Sequence, residues 1–199
     1  LDANINGLTV GKGGGSVSTN TAVGVSAILG TATGTNNTAI GYFSSEKLIG
    51  GTQNTSVGAE ALQLNVSGVG NTAVGFRAAE SMTGSYSVAV GYASIQPATG
   101  DRNTAIGYGS GLSLTTGGRN TFVGFTSGDG ITTGSNNTII GNATGLSASL
   151  SNTIILADGQ GNQRLYINSS GNVGIGTTSP TTKITMFGQN PMFRAVSYT

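Results

Sequence analysis

The side chains able to do chemistry are few and scattered. The 199-residue chain has no histidine and no cysteine. It therefore lacks the commonest general base, the commonest transition-metal ligand and any thiolate site. Its seven acids are Asp2, Glu46, Glu60, Glu80, Asp101, Asp129 and Asp158. Glycoside hydrolysis needs two carboxyls flanking one bond, and no spacing here selects such a pair. The expectation is no enzyme, no metal site and no cofactor. Asp129 in SGDGIT and Asp158 in ADGQGN read as turn residues. GKGGGS (11–16) and GNVGIG (171–176) look superficially like phosphate loops, but neither fits the Walker pattern or opens a helix. One row of residues stands out: Tyr42, Phe76, Tyr92, Tyr108 and Phe125, each directly after a glycine. Such a row can stack sugar rings, or it can fill a core or a chain–chain seam. The area aromatics carry favours the second use.

Charge excludes further classes. Only 8% of residues are charged and the net charge is +1, far from the clustered Lys and Arg of a nucleic-acid surface or a polybasic membrane surface. No apolar run is long enough to span a bilayer as a helix, so no membrane insertion is expected. The start, LDANINGLTV, shows no secretory signal and no initiator Met, which suggests a fragment or a processed product. Arg77, Arg102 and Arg119 recur near the coils and read either as inter-chain partners of Glu60, Glu80 and Asp101 or as a solvated rim.

What must position these residues is a repeat. NTAIGYFS at residues 37–44 has echoes beginning at Asn20, Asn54, Asn71, Asn103, Asn120 and Asn137, and YSVAVGYAS keeps the frame between them. The motif glycines are Gly24, Gly41, Gly58, Gly75, Gly91, Gly107, Gly124 and Gly141, spaced 16 or 17 apart. A second glycine sits three residues before most of the motif asparagines, as at Gly34, Gly51 and Gly68. The period is too short for helical-pair repeats, and glycine at this density opposes helix by about 1 kcal/mol each. Thr-x-Val/Ile alternates at period two, as a short strand does.

The expected fold is all-β: a parallel β-roll over residues 17–151, about eight coils, with two short strands per 16–17-residue coil. Identical positions then lie in ladders about 4.8 Å apart, including an Asn ladder sharing amide hydrogen bonds. A roll this thin has little core. The small face formed by Ala22, Ala39, Ser56, Ala73, Ala89, Ala105, Phe122 and Ile139 is therefore read as packing against copies of itself around a symmetry axis. Residues 1–16 read as a lead-in with Gly13–Gly15 flexible. Residues 152–186 read as a β-hairpin connector module, and 187–199 as the start of a further domain absent from this chain.

NTAIGxxS and YSVAVGYAS resemble the repeat of YadA-like heads of trimeric autotransporter adhesins, and the Asn-Thr form is similar to repeats in phage tail and head fibres. NTIILADGQGNQRLYINSSGNVGIGTTSPTTKITM (152–186) resembles the segment that follows such repeats in phage tail fibres. The resemblance implies a left-handed roll and a homotrimeric rod. It implies a shaft that presents a host-receptor-binding end and adjoins other fibre or virion proteins. The location it implies is the virion, or the bacterial surface if the chain is an adhesin head. The host polysaccharide or protein bound there would be a partner of the whole fibre. An ice-binding solenoid is a rival from another class, because the Thr ladder compares with flat Thr arrays. A depolymerising tailspike is a third.

Overall fold

Each motif copy becomes one short strand, and the strands stack in register. The computed structural model describes residues 2–186. A lead-in hairpin of β1 (Ala3–Ile5) and β2 (Leu8–Gly11) pairs antiparallel with β3 (Thr21–Gly24). Parallel strands follow: β4 (Thr38–Ile40), β5 (Thr55–Val57), β6 (Thr72–Val74), β7 (Val88–Val90), β8 (Thr104–Ile106), β9 (Thr121–Val123) and β10 (Thr138–Ile140). β11 (Ile154–Ala157) adds one more parallel rung. β12 (Gln163–Ile167) and β13 (Val173–Ile175) then turn back antiparallel, and β14 (Ile184–Met186) pairs parallel with β13. All fourteen strands form one continuous sheet, wound as a β-solenoid of about eight turns with roughly 17 residues each. Pairing joins like to like, as Thr21 with Thr38, Ala22 with Ala39 and Val23 with Ile40.

The side of each coil opposite the sheet, expected as a second strand, is instead a run of linked tight turns. In the second coil the N–H of Ser44 donates to Gly41 O, that of Glu46 to Phe43 O and that of Leu48 to Ser45 O. Phe43 and Ser45 sit in the left-handed region, at φ 55° and 49°, as do Glu60 and Leu62 in the next coil. Left-handed φ costs an ordinary residue about 1–2 kcal/mol. Offsetting that, the same backbone groups bond to neighbouring coils: Phe43 N–H to Val25 O at 3.0 Å, and Ser45 N–H to Ala61 O at 2.9 Å. The turn side is thus a second hydrogen-bonded ladder, but not a pleated one.

The inside of the solenoid overturns one expectation. Ala22, Ala39, Ser56, Ala73, Ala89, Ala105, Phe122 and Ile139 are 0% exposed within a single chain. They cannot form a chain–chain axis, because they are already enclosed by their own coils. The physical reason is the width of the coil. Inward residues of the turn side, such as Ile28, Leu62 and Ile95, are also fully buried, so the strand opposite them has room for little more than a methyl group. Phe122 follows the same rule in reverse. Its ring lies against Gly111 and Gly128, which take the turn-side places that Ile95 and Leu62 fill elsewhere. Phe122→Ala is expected to lower stability by about 3–5 kcal/mol, because two glycines cannot refill the space. Adding Gly128→Leu should recover part of that loss; denaturant unfolding of the single and double variants measures both.

The lead-in glycines lie close against the first coil. A Cβ on Gly14 would lie 1.8 Å from Gly30 O, and one on Gly15 would lie 2.0 Å from Ala32 O. Residues 187–199, read above as the start of a further domain, lie outside the described residues.

Candidate functional site

With the alanine row inside, the alternate row faces out. Thr38, Ile40 and Tyr42 share the outer face of the sheet, and each coil repeats the arrangement. Ile40, Val74, Ile106 and Ile140 are exposed, Ile140 at 46%, while the intervening Val57, Val90 and Val123 are half-buried. A Thr column runs on one side of this apolar column and the aromatic column on the other. No charged residue belongs to the three columns between β3 and β10, although the Arg77 guanidinium reaches over the Phe76 ring, 5.1 Å from its centroid. Eight coils make the strip about 40 Å long and about 15 Å wide, on the order of 600 Å². That is at the upper end of the largest apolar patch a monomer exposes. It approaches the roughly 800 Å² that each partner contributes to a standard interface.

The five aromatics singled out from the sequence lie outside the roll, all exposed. Four of them form one stack. Phe76 and Tyr92 have centroids 5.4 Å apart, Tyr92 and Tyr108 4.9 Å, and Tyr108 and Phe125 5.3 Å. Ala59 occupies the place between Phe76 and Tyr42, and Tyr42 packs instead on Phe43 at 4.0 Å. Rings stacked this way cover each other's faces. A sugar lying flat on Tyr92 or Tyr108 would have to part the stack, so the available surface is the row of ring edges.

The Asn ladder is the internal fixture that holds the strip in register. Asn37 Oδ1 accepts the Asn54 backbone N–H at 2.9 Å and its side-chain amide at 3.1 Å. Asn37 Nδ2 donates to Gly51 O at 2.8 Å. Acceptance of the next coil's backbone N–H repeats through Asn54, Asn71, Asn103, Asn120 and Asn137, all buried, and the amide–amide bond recurs from Asn120 to Asn103 and from Asn137 to Asn120. Where Ser87 replaces asparagine, its N–H donates to Asn71 Oδ1 and its hydroxyl accepts from Asn103 N–H at 3.1 Å. The motif glycine has a separate role. Gly41 has φ 134°, and a Cβ there would lie 2.5 Å from Gly58 O, so the coil turns its corner only with glycine.

Every carboxylate has a local partner. Asp2 accepts from Lys12 N–H and Gly13 N–H at 2.7 and 2.6 Å, so these two amides of the GKGGGS stretch are already occupied. Glu46 binds Lys47 and Gln63. Glu60 and Glu80 flank Arg77, with Glu60 at 2.6 Å in the same chain. Asp101 caps Ser85 N–H, and Asp129 accepts from Ser113 and Gly130. Asp158 accepts from Asn162 and Arg164. The Lys47 hydrogen bond holds the Glu46 carboxyl below its usual range, with Gln63 adding to it. The Asn162 amide and then Arg164 hold Asp158 well below the carboxylate range. Both shifts run opposite to what a general acid needs at neutral pH. Among the described residues no three His, Cys, Asp or Glu side chains gather as a metal site, and no helix is long and apolar enough to cross a membrane.

Comparison with protein-family models, with curated proteins and with solved structures finds no match to the chain.

Proposed function

We propose that this chain forms the shaft of a homotrimeric viral fibre of the phage tail or head type, with the outward Thr–Val/Ile–aromatic strip as the seam between chains. The carrying observation is that strip: built of three columns with no charged member, in register from coil to coil and as long as the repeat region. Three such strips converging on an axis would remove the exposed Ile40, Val74, Ile106 and Ile140 from water. Closed threefold association needs only this one surface per chain near the axis. Stability then adds coil by coil through ladders and seam, which suits a mechanical role: holding a receptor-binding end away from the particle. Resemblance of the motif to fibre repeats, and of residues 152–186 to the segment that follows them in phage tail fibres, supports the viral reading over a bacterial adhesin head, whose geometry would be the same. The partners on this reading are two further copies, adjoining fibre proteins and a host surface. Local pairing of every carboxylate supports a structural rather than a catalytic role.

Ile106→Asp tests the seam. It places a charge on the strip without touching the core. Sedimentation should show the native chain as a trimer and the variant as a folded single chain with unchanged circular dichroism. A variant that sediments with the native protein would remove the strip from the seam.

A second reading has one observation of its own. Thr and Val/Ile face outward together on a regular sheet, the kind of flat array on which ice-binding solenoids order water. Thermal hysteresis in a monomeric sample would favour it.

A further inference from the structure

We propose that the groove flanked by the corner residues Arg102 and Arg119 takes an acidic polysaccharide lying along the rod. The choice of a glycan rests on the host-attachment reading above; the groove itself does not.

The argument begins with backbone conformation. From the second coil on, the residue before the motif asparagine, or its substitute, turns a corner in the left-handed region: Asn36 at φ 61°, Gln53 at 60°, Gly70 at 66°, Asn136 at 60° and Asn152 at 56°. Asparagine and glycine adopt this region most readily, and four of these five coils use them. Three consecutive coils do not. Tyr86, Arg102 and Arg119 hold the same conformation, at φ 59°, 60° and 58°, although neither arginine nor tyrosine favours it. The corner itself is structural, since the N–H groups of Tyr86, Arg102 and Arg119 bond to the preceding coil as that of Gln53 does; what is particular to these rungs is the side chains they present.

Arg102 and Arg119 are exposed, and neither makes an ion pair among the described residues, unlike Arg77 and Arg164. The Arg102 guanidinium lies 5.8 Å from the Tyr86 ring centroid. Between the arginines is a shallow groove of about 200 Å³ lined by Asp101, Thr116 and Ser135 over Gly100 and Gly118. Asp101 is turned to the Ser85 N–H at 2.7 Å. Two arginines and one aspartate leave a single net positive charge. That suits a polymer with one carboxylate per sugar and hydroxyls in between, rather than the denser phosphates of a nucleic acid duplex. The cations repeat by one coil, about 4.8 Å along the rod, a step close to the length of one pyranose residue. Arginine grips a carboxylate through two parallel N–H donors, and the Tyr86 ring beneath the Arg102 guanidinium positions that arginine at the end of the row.

The test is interferometry of the full chain over immobilised polygalacturonate, neutral dextran and a DNA duplex. The native chain should bind polygalacturonate, weaken as salt rises, and ignore dextran. The double variant Arg102→Asn with Arg119→Asn should bind at least about tenfold more weakly. Because asparagine suits the corner, its melting temperature should be equal or higher, which separates lost binding from lost fold. The groove is overturned if the native chain binds polygalacturonate no better than dextran. Equal binding by the double variant, or preference for DNA, also overturns it. Light scattering on the same samples reports trimer formation independently, so failure of the groove and failure of the fibre reading give different results.

Discussion

Ala89→Asp is expected to abolish the native coil at neutral pH. Ala89 is completely buried between Ala73 and Ala105, inside a single chain. An aspartate there has no partner and no room. An uncompensated buried charge costs at least about 3–5 kcal/mol, a large share of a typical domain's 5–15 kcal/mol. Each coil contacts mainly its neighbours, so the damage should spread from β7 into β6 and β8 before reaching the ends. Hydrogen exchange should show protection lost first at Thr72–Ile106 and kept longest near β3 and β10. Val90→Asp, one residue along, puts the same charge on the outer face. In an isolated chain it should cost little, within about 0.5 kcal/mol, the usual range for surface changes. Two adjacent residues with opposite outcomes would establish which face is inside.

The second large effect lies in the polar ladder. Asn120 Nδ2 donates to Asn103 Oδ1 at 3.2 Å and to Gly134 O at 3.0 Å, and its Oδ1 accepts from the backbone and side-chain amides of Asn137. Asn120→Leu leaves Asn137 N–H and Gly134 O buried without those partners. Each orphaned group costs about 1–3 kcal/mol, so a loss of about 3–5 kcal/mol is expected by denaturant unfolding. Asn120→Ser should cost roughly a third of that. Ser87 already performs the substitution in its own coil, accepting from Asn103 and donating to Asn71 through its backbone.

Much of this architecture is legible in the residues. The spacing of Gly24 through Gly141 is the length of the coil, and the alternation of Thr38, Ala39 and Ile40 says which side chains share a face. Alternation does not say which face is inside. Apolar residues stand on both, and bulk hydrophobicity ranks Ile40 over Ala39 for burial. The deciding quantity is the width of the coil, set by the turn side. That side is hard to read because its left-handed positions carry Phe43, Ser45, Glu60 and Leu62, residues that do not signal positive φ. One pairing does report the inside: Phe122, the bulky exception in the small row, coincides with glycines at 111 and 128. For the candidate site, the aromatic row is plain in the sequence, but its mutual stacking follows only once the rungs are known to be in register. The corner position of Arg102 and Arg119 is similarly visible only when φ is known to repeat there.

The most direct measurement is the solution mass of the purified chain by light scattering over a dilution series. A mass near 59 kDa, three times the 19.7 kDa chain, holding constant on dilution is expected of a shaft sealed along its outer strip. A stable 19.7 kDa species with native circular dichroism would contradict the trimeric fibre and leave the strip facing water.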